Sequence, residues 1–502
     1  MGKSGSGEDG NAGARLSRDQ RQLLAVVLVP LFMSLLSVSI VNVVLPSIQI
    51  SIGASNTGLQ WVLTGYTLAF GVFLVPAGRA GDLYGRARLF IAGLVLFGLA
   101  SLAAGLAPNE MVLNIARVFM GFGSGFLNPQ TVGLVQQFFQ GEQRGRAFGF
   151  FGSVVGVSVA IGPVLGGGLI ALLGPDWGWR SAFLINVPIA AIGVLTAFIW
   201  LPSSAWRALP EALGGSVKGK RPDLDPVGLV LLTGATLAIM LPFLQAEAGG
   251  WIWSLLGLAA ILGFLWLRWE REYKARGRSP MVDLALFRIR TFANGALLIG
   301  LYFTGMTSVW VVVALYLQLG QGYSALEAGL VGLPSAITSA IAAAIAGRYV
   351  VRVGRIIVLF GIGMLLVGLA GSGMVLVLHE QLGISIWWLL LSMAFIGFGQ
   401  GNVVSPNQTL SLREVPLSYA GSAGGVMQTG QRIGTAVGIS LNTAIFFAAQ
   451  AAFGWTPAIL LAFASIAILV IVSAGVGVRD WVQDRQEGPE QPRGSGSPQQ
   501  DH

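Results

Sequence analysis

Two arginines stand inside apolar runs, and their chemistry frames the reading of the chain. Arg117 lies in LNIARVFMGFGSGFLNP and Arg432 in GGVMQTGQRIGTAVG. A guanidinium in hydrocarbon costs at least ~2.5 kcal/mol on insertion scales, so it needs a polar cavity, a partner or a route to the interface. For Arg117 a cavity or partner is favoured over snorkelling, although Glu110 is only two turns away. Arg432 reads equally as functional or as snorkelling. A third constellation, GRAGDLYGRAR, crowds Arg79, Asp82, Arg86 and Arg88 between two apolar runs. Gly78, Gly81 and Gly85 let the chain turn tightly and let helix ends approach. Asp82 can accept from helix N-terminal amides or pair with an arginine across a bundle, which is the chemistry of a releasable latch. The arginines alone fit an ordinary basic loop; the Gly/Asp/Gly/Arg spacing favours the latch.

Other chemistries are excluded. The chain has no cysteine and only two histidines, His379 and His502, so thiolate sites, disulfides and His-rich metal clusters fall away. Neither a phosphate-binding Gly-x-x-x-x-Gly-Lys-Ser/Thr loop nor a dinucleotide fingerprint occurs. The reading is therefore not an enzyme and no cofactor, with movement of a solute passive or driven by an ion gradient. No Asp or Glu lies deep in an apolar run; the first run offers Ser37, Ser39 and Asn42 where a proton carrier commonly places a carboxylate. A polar cavity can still be built from Asn128, Gln130, Gln318, Gln400, Asn402, Asn407, Gln428 and Gln431. Trp61, Tyr66, Tyr302, Met306 and Trp310 would suit a broad apolar ligand. For any one of these side chains, packing or lipid contact is the more ordinary role.

The elements that position these residues are membrane helices. Hydrophobic residues make up 54% of 502 and charged ones 10%, where a soluble protein carries roughly 25% charged, so the chain is an integral membrane protein. Fourteen apolar runs start near Leu23, Leu59, Leu89, Met111, Phe148, Ser181, Pro226, Trp251, Phe292, Ala325, Ile356, Ile384, Ala420 and Pro457. Met374–Ile386 reads as a loop. With the N-terminus cytoplasmic, 27 of the 30 Lys and Arg fall in cytoplasmic segments, so both termini are expected there. The net charge of +8 is then a topology signal and not a nucleic-acid patch. Gly149–Gly168 carries seven glycines and Pro163. Gly152 and Gly156 form a strip where another backbone can approach, and Gly162, Pro163, Gly166 and Gly167 extend it. That stretch reads as a tightly packed helix or as a functional seam.

GRAGDLYGR (78–86) repeats as GRYVVRVGR (347–355), and MGFGSG (120–125) as IGFGQG (396–401), at offsets of 269 and 276. Val351 replaces the aspartate in the second copy, so the latch is expected on one side only. Residues 23–201 and 292–476 are thus related six-span halves, with 226–268 two further spans outside the repeat. The remaining pieces are a disordered tail at 1–22, a loop at 202–225, a basic loop at 269–291 and a disordered tail at 477–502. Paired halves of this kind describe an alternating-access carrier rather than a channel, receptor or intramembrane enzyme.

These motifs resemble the major facilitator superfamily, and more closely its fourteen-span drug/proton antiporter branch. The likeness runs from about Leu23 to Gly477. GRAGDLYGRAR resembles the loop between spans two and three, which implies gating for Asp82, Gly85 and Arg86. Arg117 with Gly121, Gly123, Gly125 and Pro129 resembles the fourth-span motif, whose arginine is linked to proton coupling. GVSVAIGPVLGGG resembles the fifth-span antiporter motif and accompanies export. WVLTGYTLAFG, WRSAFLINVP, DPVGL and YLQLGQGYSALEAG also resemble this branch. One departure matters: the branch usually reads Asp-x-Thr-Ile-Val-Asn in span one, and this chain reads Ser37-Val38-Ser39-Ile40-Val41-Asn42. The resemblance implies an all-α major facilitator fold of two six-helix bundles plus two extra transmembrane helices. It further implies a monomeric multidrug exporter in a bacterial inner membrane, with an amphipathic small molecule and protons as partners. The missing aspartate makes a neutral, anionic or lipid-like substrate more credible, and export without tight proton coupling the alternative.

Overall fold

The structure is a computed structural model that describes residues 16–208 and 223–487. The expected tails at 1–15 and 488–502, and loop residues 209–222, lie outside the described residues. Fifteen α-helices and no strand occur among the described residues. The first group is α1 (Arg18–Ile52), α2 (Asn56–Tyr84), α3 (Arg86–Gly105), α4 (Glu110–Phe138), α5 (Gly141–Leu184) and α6 (Asn186–Trp200). Then come α7 (Pro226–Leu244) and α8 (Leu255–Ala275). The last group is α9 (Arg290–Met306), α10 (Ser308–Leu315), α11 (Ala325–Val353), α12 (Ile356–Leu382), α13 (Leu389–Ser411), α14 (Ala420–Phe453) and α15 (Trp455–Glu487).

Helix ends follow from polar caps that lie just outside the apolar runs. Ser17 with Gln20, and Ser324 with Glu327, form capping boxes for α1 and α11, and Ser55 and Asn109 cap α2 and α4. This is why helix α1 begins at Arg18, inside the stretch expected as an N-terminal tail. At the other end α15 runs on to Glu487, past the expected boundary at 476. The reading of Met374–Ile386 as a loop is corrected as well. Helix α12 continues through His379 and Glu380 to Leu382 and stops at Gly383, whose φ of 65° ends the helix in the left-handed region. Gly174, with φ 76° and ψ 171°, breaks α5, and Pro175 restarts it.

Twelve helical stretches among the described residues are long and apolar enough to cross a membrane. Helices α1–α6 pack as one bundle and α9–α15 as a second. Helices α7 and α8 pack on each other, and α7 alone also meets α2 and α14. Helix α8 keeps most of its surface outward, consistent with a helix facing lipid.

The two bundles meet along two seams, α2 with α14 and α5 with α11. In the first, a Cβ on Gly78 would lie 2.3 Å from the Gly421 carbonyl oxygen, and one on Gly425 2.5 Å from that of Leu74. In the second, a Cβ on Gly347 would lie 2.5 Å from the Gly145 oxygen, and one on Gly149 2.8 Å from that of Ala343. The positions correspond: 78 and 347, like 74 and 343, differ by 269, and 145 and 421, like 149 and 425, by 276. The same backbone contact is therefore made twice with the halves exchanged, as a parallel repeat requires.

Side chains at these glycines must force the seams apart. We expect Gly145→Leu to lower the melting temperature in detergent by several degrees. Gly168→Ala, with nothing within 4 Å of its Cβ, should leave it unchanged or raise it, since alanine favours helix by ~1 kcal/mol. Equal melting of the two variants would refute the close-approach account.

Candidate functional site

The charged loop reaches from the first bundle into the second. Asp82 and Arg86, both buried, form an i,i+4 ion pair at 2.9 Å across the turn between α2 and α3, where Gly85 has φ 101°. Asp82 also accepts from Gly421 N at 3.0 Å, Ser422 N at 3.0 Å and the Ser422 hydroxyl at 2.9 Å. These are the first amides of α14, so the carboxylate sits on a helix N-terminus where dipole and free N–H groups both favour a negative charge. Arg86 donates to the Gly133 carbonyl at 2.9 Å, to Gln137 at 2.9 Å and across the seam to the Leu417 carbonyl at 2.6 Å. Gly81 allows Gln130 to approach, and Gln130 donates to the Ala77 carbonyl at 2.7 Å. Arg79 is buried with its guanidinium 5.5 Å from the Tyr419 ring, whereas Arg88 is exposed.

The second copy of the motif is built differently. Arg355, equivalent to Arg86, is buried and pairs with Asp480 of α15 at 2.5 Å. It also donates to Asn407, whose amide in turn donates to the Gly295 carbonyl at 3.0 Å. That cluster stays within the second bundle. Across the α5/α11 seam, Arg352 pairs with Glu142 at 2.8 Å. The buried carboxylate network thus crosses the first seam only, in keeping with the one-sided expectation, and the charge that crosses the second is this exposed pair, of a kind that contributes ~0–1 kcal/mol. Glu142 and Asp480 were not among the sequence candidates. The signal available was that each is an acidic residue at the basic end of an apolar run.

Among the glycines of α5, Gly152 and Gly156 face Ala343, Ser405 and Ala336 of the other half. Gly162 and Gly166 instead face Ser39 and Ile40 of α1, and Gly167 has nothing within 4 Å. Pro163 lies inside the helix in the same stretch. Helix α5 therefore packs on the other half through Gly145–Gly156 and on α1 through Gly162 and Gly166.

Arg117 is buried and has neutral partners. It donates to the Val62 carbonyl at 2.9 Å and the Ser37 hydroxyl at 3.2 Å, and stacks over Tyr66 at 4.2 Å. Tyr66, Ser34, Ser124 and Asn128 form a buried network behind it, with Tyr66 to Ser124 at 2.6 Å. Arg432 is partly exposed and lies over Phe70 at 4.3 Å, beside Gly71 and Met240 of α7. Neither arginine has a carboxylate partner among the described residues.

The other cavity candidates scatter. Ser39 donates to the Ser158 carbonyl at 3.0 Å and Asn402 to that of Phe398 at 2.8 Å, so both bond to backbone. Asn42, Trp61 and Gln318 are exposed. Tyr302 and Met306 are buried together on α9; Trp310 and Gln431 are partly exposed, and Gln428 is buried.

The extra helices carry a feature the sequence reading missed. The segment after α8 places Met281 and Val282, both buried, against Val75 of α2, Val426 of α14, Leu229 and Leu232. Buried Glu270 holds it by accepting from Val282 N at 3.3 Å and the Trp266 indole at 2.8 Å. Lys274 pairs with Asp283 at 2.7 Å. Burial pushes the Asp283 carboxyl up, but the Lys274 ammonium and the Ala285 N–H hold it below its ordinary value overall. The α7–α8 pair is thereby strapped to the α2/α14 seam at its basic end.

Comparison with known proteins identifies the fold and the branch. A model of the Major Facilitator Superfamily matches residues 27–238 and 226–439. The chain is 32% identical over 453 residues to a probable actinorhodin transporter of Streptomyces coelicolor, covering 89% of this chain and 76% of that one. It is 31% identical over 462 residues to a puromycin resistance protein of Streptomyces alboniger, covering 91% and 88%. Among solved structures, the human organic anion transporter MFSD10 superposes with a TM-score of 0.66 at 14% identity, over 92% of this chain and 100% of that one, a likeness of fold alone. The chain is a multi-pass membrane transporter, not an enzyme, and belongs to the drug-efflux branch of the Major Facilitator Superfamily.

Proposed function

We propose that this chain is a fourteen-span exporter of amphipathic, drug-like small molecules that works by alternating access. One observation carries the reading: the halves meet through the same glycine backbone contact made twice near the basic face, Gly78 with Gly421 and Gly347 with Gly145, which gives them a common end about which to hinge. The count of fourteen is supported by two details. The apolar stretch Gly141–Trp200 breaks in two at Gly174, and the 29-residue helix α4 owes its lower hydropathy to Arg117 and its polar neighbours. With an even number of crossings and the bases on one side, both termini are cytoplasmic and the glycine contacts of the seams stand at the cytoplasmic end. A bacterial inner membrane fits the bacterial relatives. The halves are 23–201 and 292–476, hinged as units, with 226–268 beside one seam, and a single chain suffices.

In this reading Asp82 and Arg86 latch the cytoplasmic side. Closing the inner seam desolvates the pair but satisfies it fully, and opening it exposes both groups to water. The latch is thus bistable instead of permanently stabilising. Proton antiport through Arg117 is the first reading of the driving force. Export without tight proton coupling is favoured by one specific contact: the first-helix partner of Arg117 is the Ser37 hydroxyl, which carries no titratable proton near neutral pH.

Two experiments test these readings. In this cysteine-free chain, a cysteine placed at the buried Ala77 should react slowly with a maleimide applied from the cytoplasmic side. Asp82→Asn leaves Arg86 buried without its counter-charge, a loss of ~3–5 kcal/mol in such pairs, and should speed labelling at least tenfold. Unchanged labelling sinks the latch. In proteoliposomes with an imposed pH gradient, substrate-dependent proton release that vanishes in Arg117→Ala supports antiport. Substrate flux indifferent to the gradient removes antiport and leaves the uncoupled exporter.

A further inference from the structure

Two arginines inside the bundle carry positive charge that no carboxylate among the described residues neutralises. Arg117 on α4 and Arg432 on α14 come from opposite halves, yet they stack on one aromatic pair. Arg117 lies 4.2 Å over Tyr66 and Arg432 4.3 Å over Phe70, and the two rings meet edge to face at 5.9 Å. Arg117 spends its donors on a carbonyl and a hydroxyl, both neutral. Arg432 makes no hydrogen bond to any described residue, is partly exposed, and stands where α2, α14 and α7 converge. The buried carboxylates among the described residues, Asp82, Asp225, Glu270, Asp283 and Asp480, all lie at or next to the basic face. A cation in an apolar site without a partner is costly, and cation–π contact offsets only part of that cost.

We infer that the ligand supplies the missing charge: the cavity selects amphipathic anions, with Arg432 as the side chain that meets the anionic group. Arg117 sits behind Tyr66 and raises the positive potential from the far side of the aromatic pair without needing to touch the ligand. The ligand class is an apolar body with one ionised oxygen acid such as a carboxylate. An anionic phospholipid headgroup offers the same chemistry, and the test separates the two sources. This inference rests on the exporter reading and deepens it.

The experiment uses the full chain in phosphatidylcholine vesicles, with and without phosphatidylglycerol, and a matched set of three probes. These are an anthraquinone carboxylate, its methyl ester, and an analogue bearing a trimethylammonium group. The wild type should move the carboxylate at least tenfold faster than the other two. Arg432→Gln should lower the ratio of carboxylate to ester transport at least tenfold, and Arg432→Lys should keep most of it. Ser37→Asp, which gives Arg117 a carboxylate partner, should narrow the preference for the anion. In detergent, the carboxylate should raise the melting temperature of the wild type and not of Arg432→Gln, which separates lost binding from lost folding. Competition by phosphatidylglycerol that abolishes carboxylate transport would assign the site to lipid and overturn the substrate claim. Equal transport of all three probes, or an equal loss of all three in Arg432→Gln, overturns the inference alone. Movement of none of them overturns the exporter reading and the inference with it.

Discussion

Between Gly78 and Gly421 there is no room for a side chain on either helix, and the same holds between Gly145 and Gly347. The rest of the molecule depends on these two backbone contacts. In lipid, helices gain little from hiding apolar surface, so association rests on close packing and on the polar contacts that close packing permits. Only where α2 reaches the backbone of α14 can Asp82 take both the Gly421 and Ser422 amides. Were either glycine larger, the carboxylate would stand off by more than hydrogen-bonding distance. The charge network is thus a consequence of the glycine contact.

The repeated contact explains why the charges need not repeat. Two seams related by the internal repeat make the same backbone contact, and only the first carries a buried charge network across it. At the second seam Val351 takes the place of the aspartate, and the crossing charge moves to the exposed Arg352–Glu142 pair. Arg355, released from that duty, joins Asp480 and Asn407 inside its own bundle. Helix α7 and the strap around Met281 and Val282 lie against the first seam only. The seam with the stronger lock is also the one covered by the extra helices, which leaves α5/α11 as the barer side.

Much of this was legible in the chain because it is local or periodic. Apolar runs, basic loops and the repeat depend on spacing alone, and Asp82 with Arg86 is an i,i+4 pair. What was not legible depends on azimuth and distance. Ser39, Gln130, Asn402 and Asn407 have the composition of a cavity lining, yet a buried polar group must bond to something, and each found a carbonyl or an arginine nearby. Asp82 and Ser422 are 340 residues apart, and Glu142 and Arg352 210 apart, so no window on the sequence brings them together. The helix ends were displaced for a simpler reason: caps sit in the polar interface, outside the apolar run that hydropathy reports.

The hydroxyl at Ser37 and the unpaired guanidinium of Arg432 bear on the same energetic question. A carrier with a membrane-embedded carboxylate can bind a proton or a cation and return neutral. In the exporter reading, the site between Arg117 and Arg432 has only fixed positive charge among the described residues, so its empty form is cationic and an anionic ligand brings it closer to neutral. Carrying one negative charge out of a cell with an inside-negative potential is favourable by about 2.3 kcal/mol per 100 mV. A neutral ligand gains nothing from that field and would need a second gradient to accumulate outside. Replacing the first-span carboxylate by serine therefore does more than remove a proton site. It fits a carrier in which the charge of the cargo takes over part of the work that a coupled proton performs elsewhere.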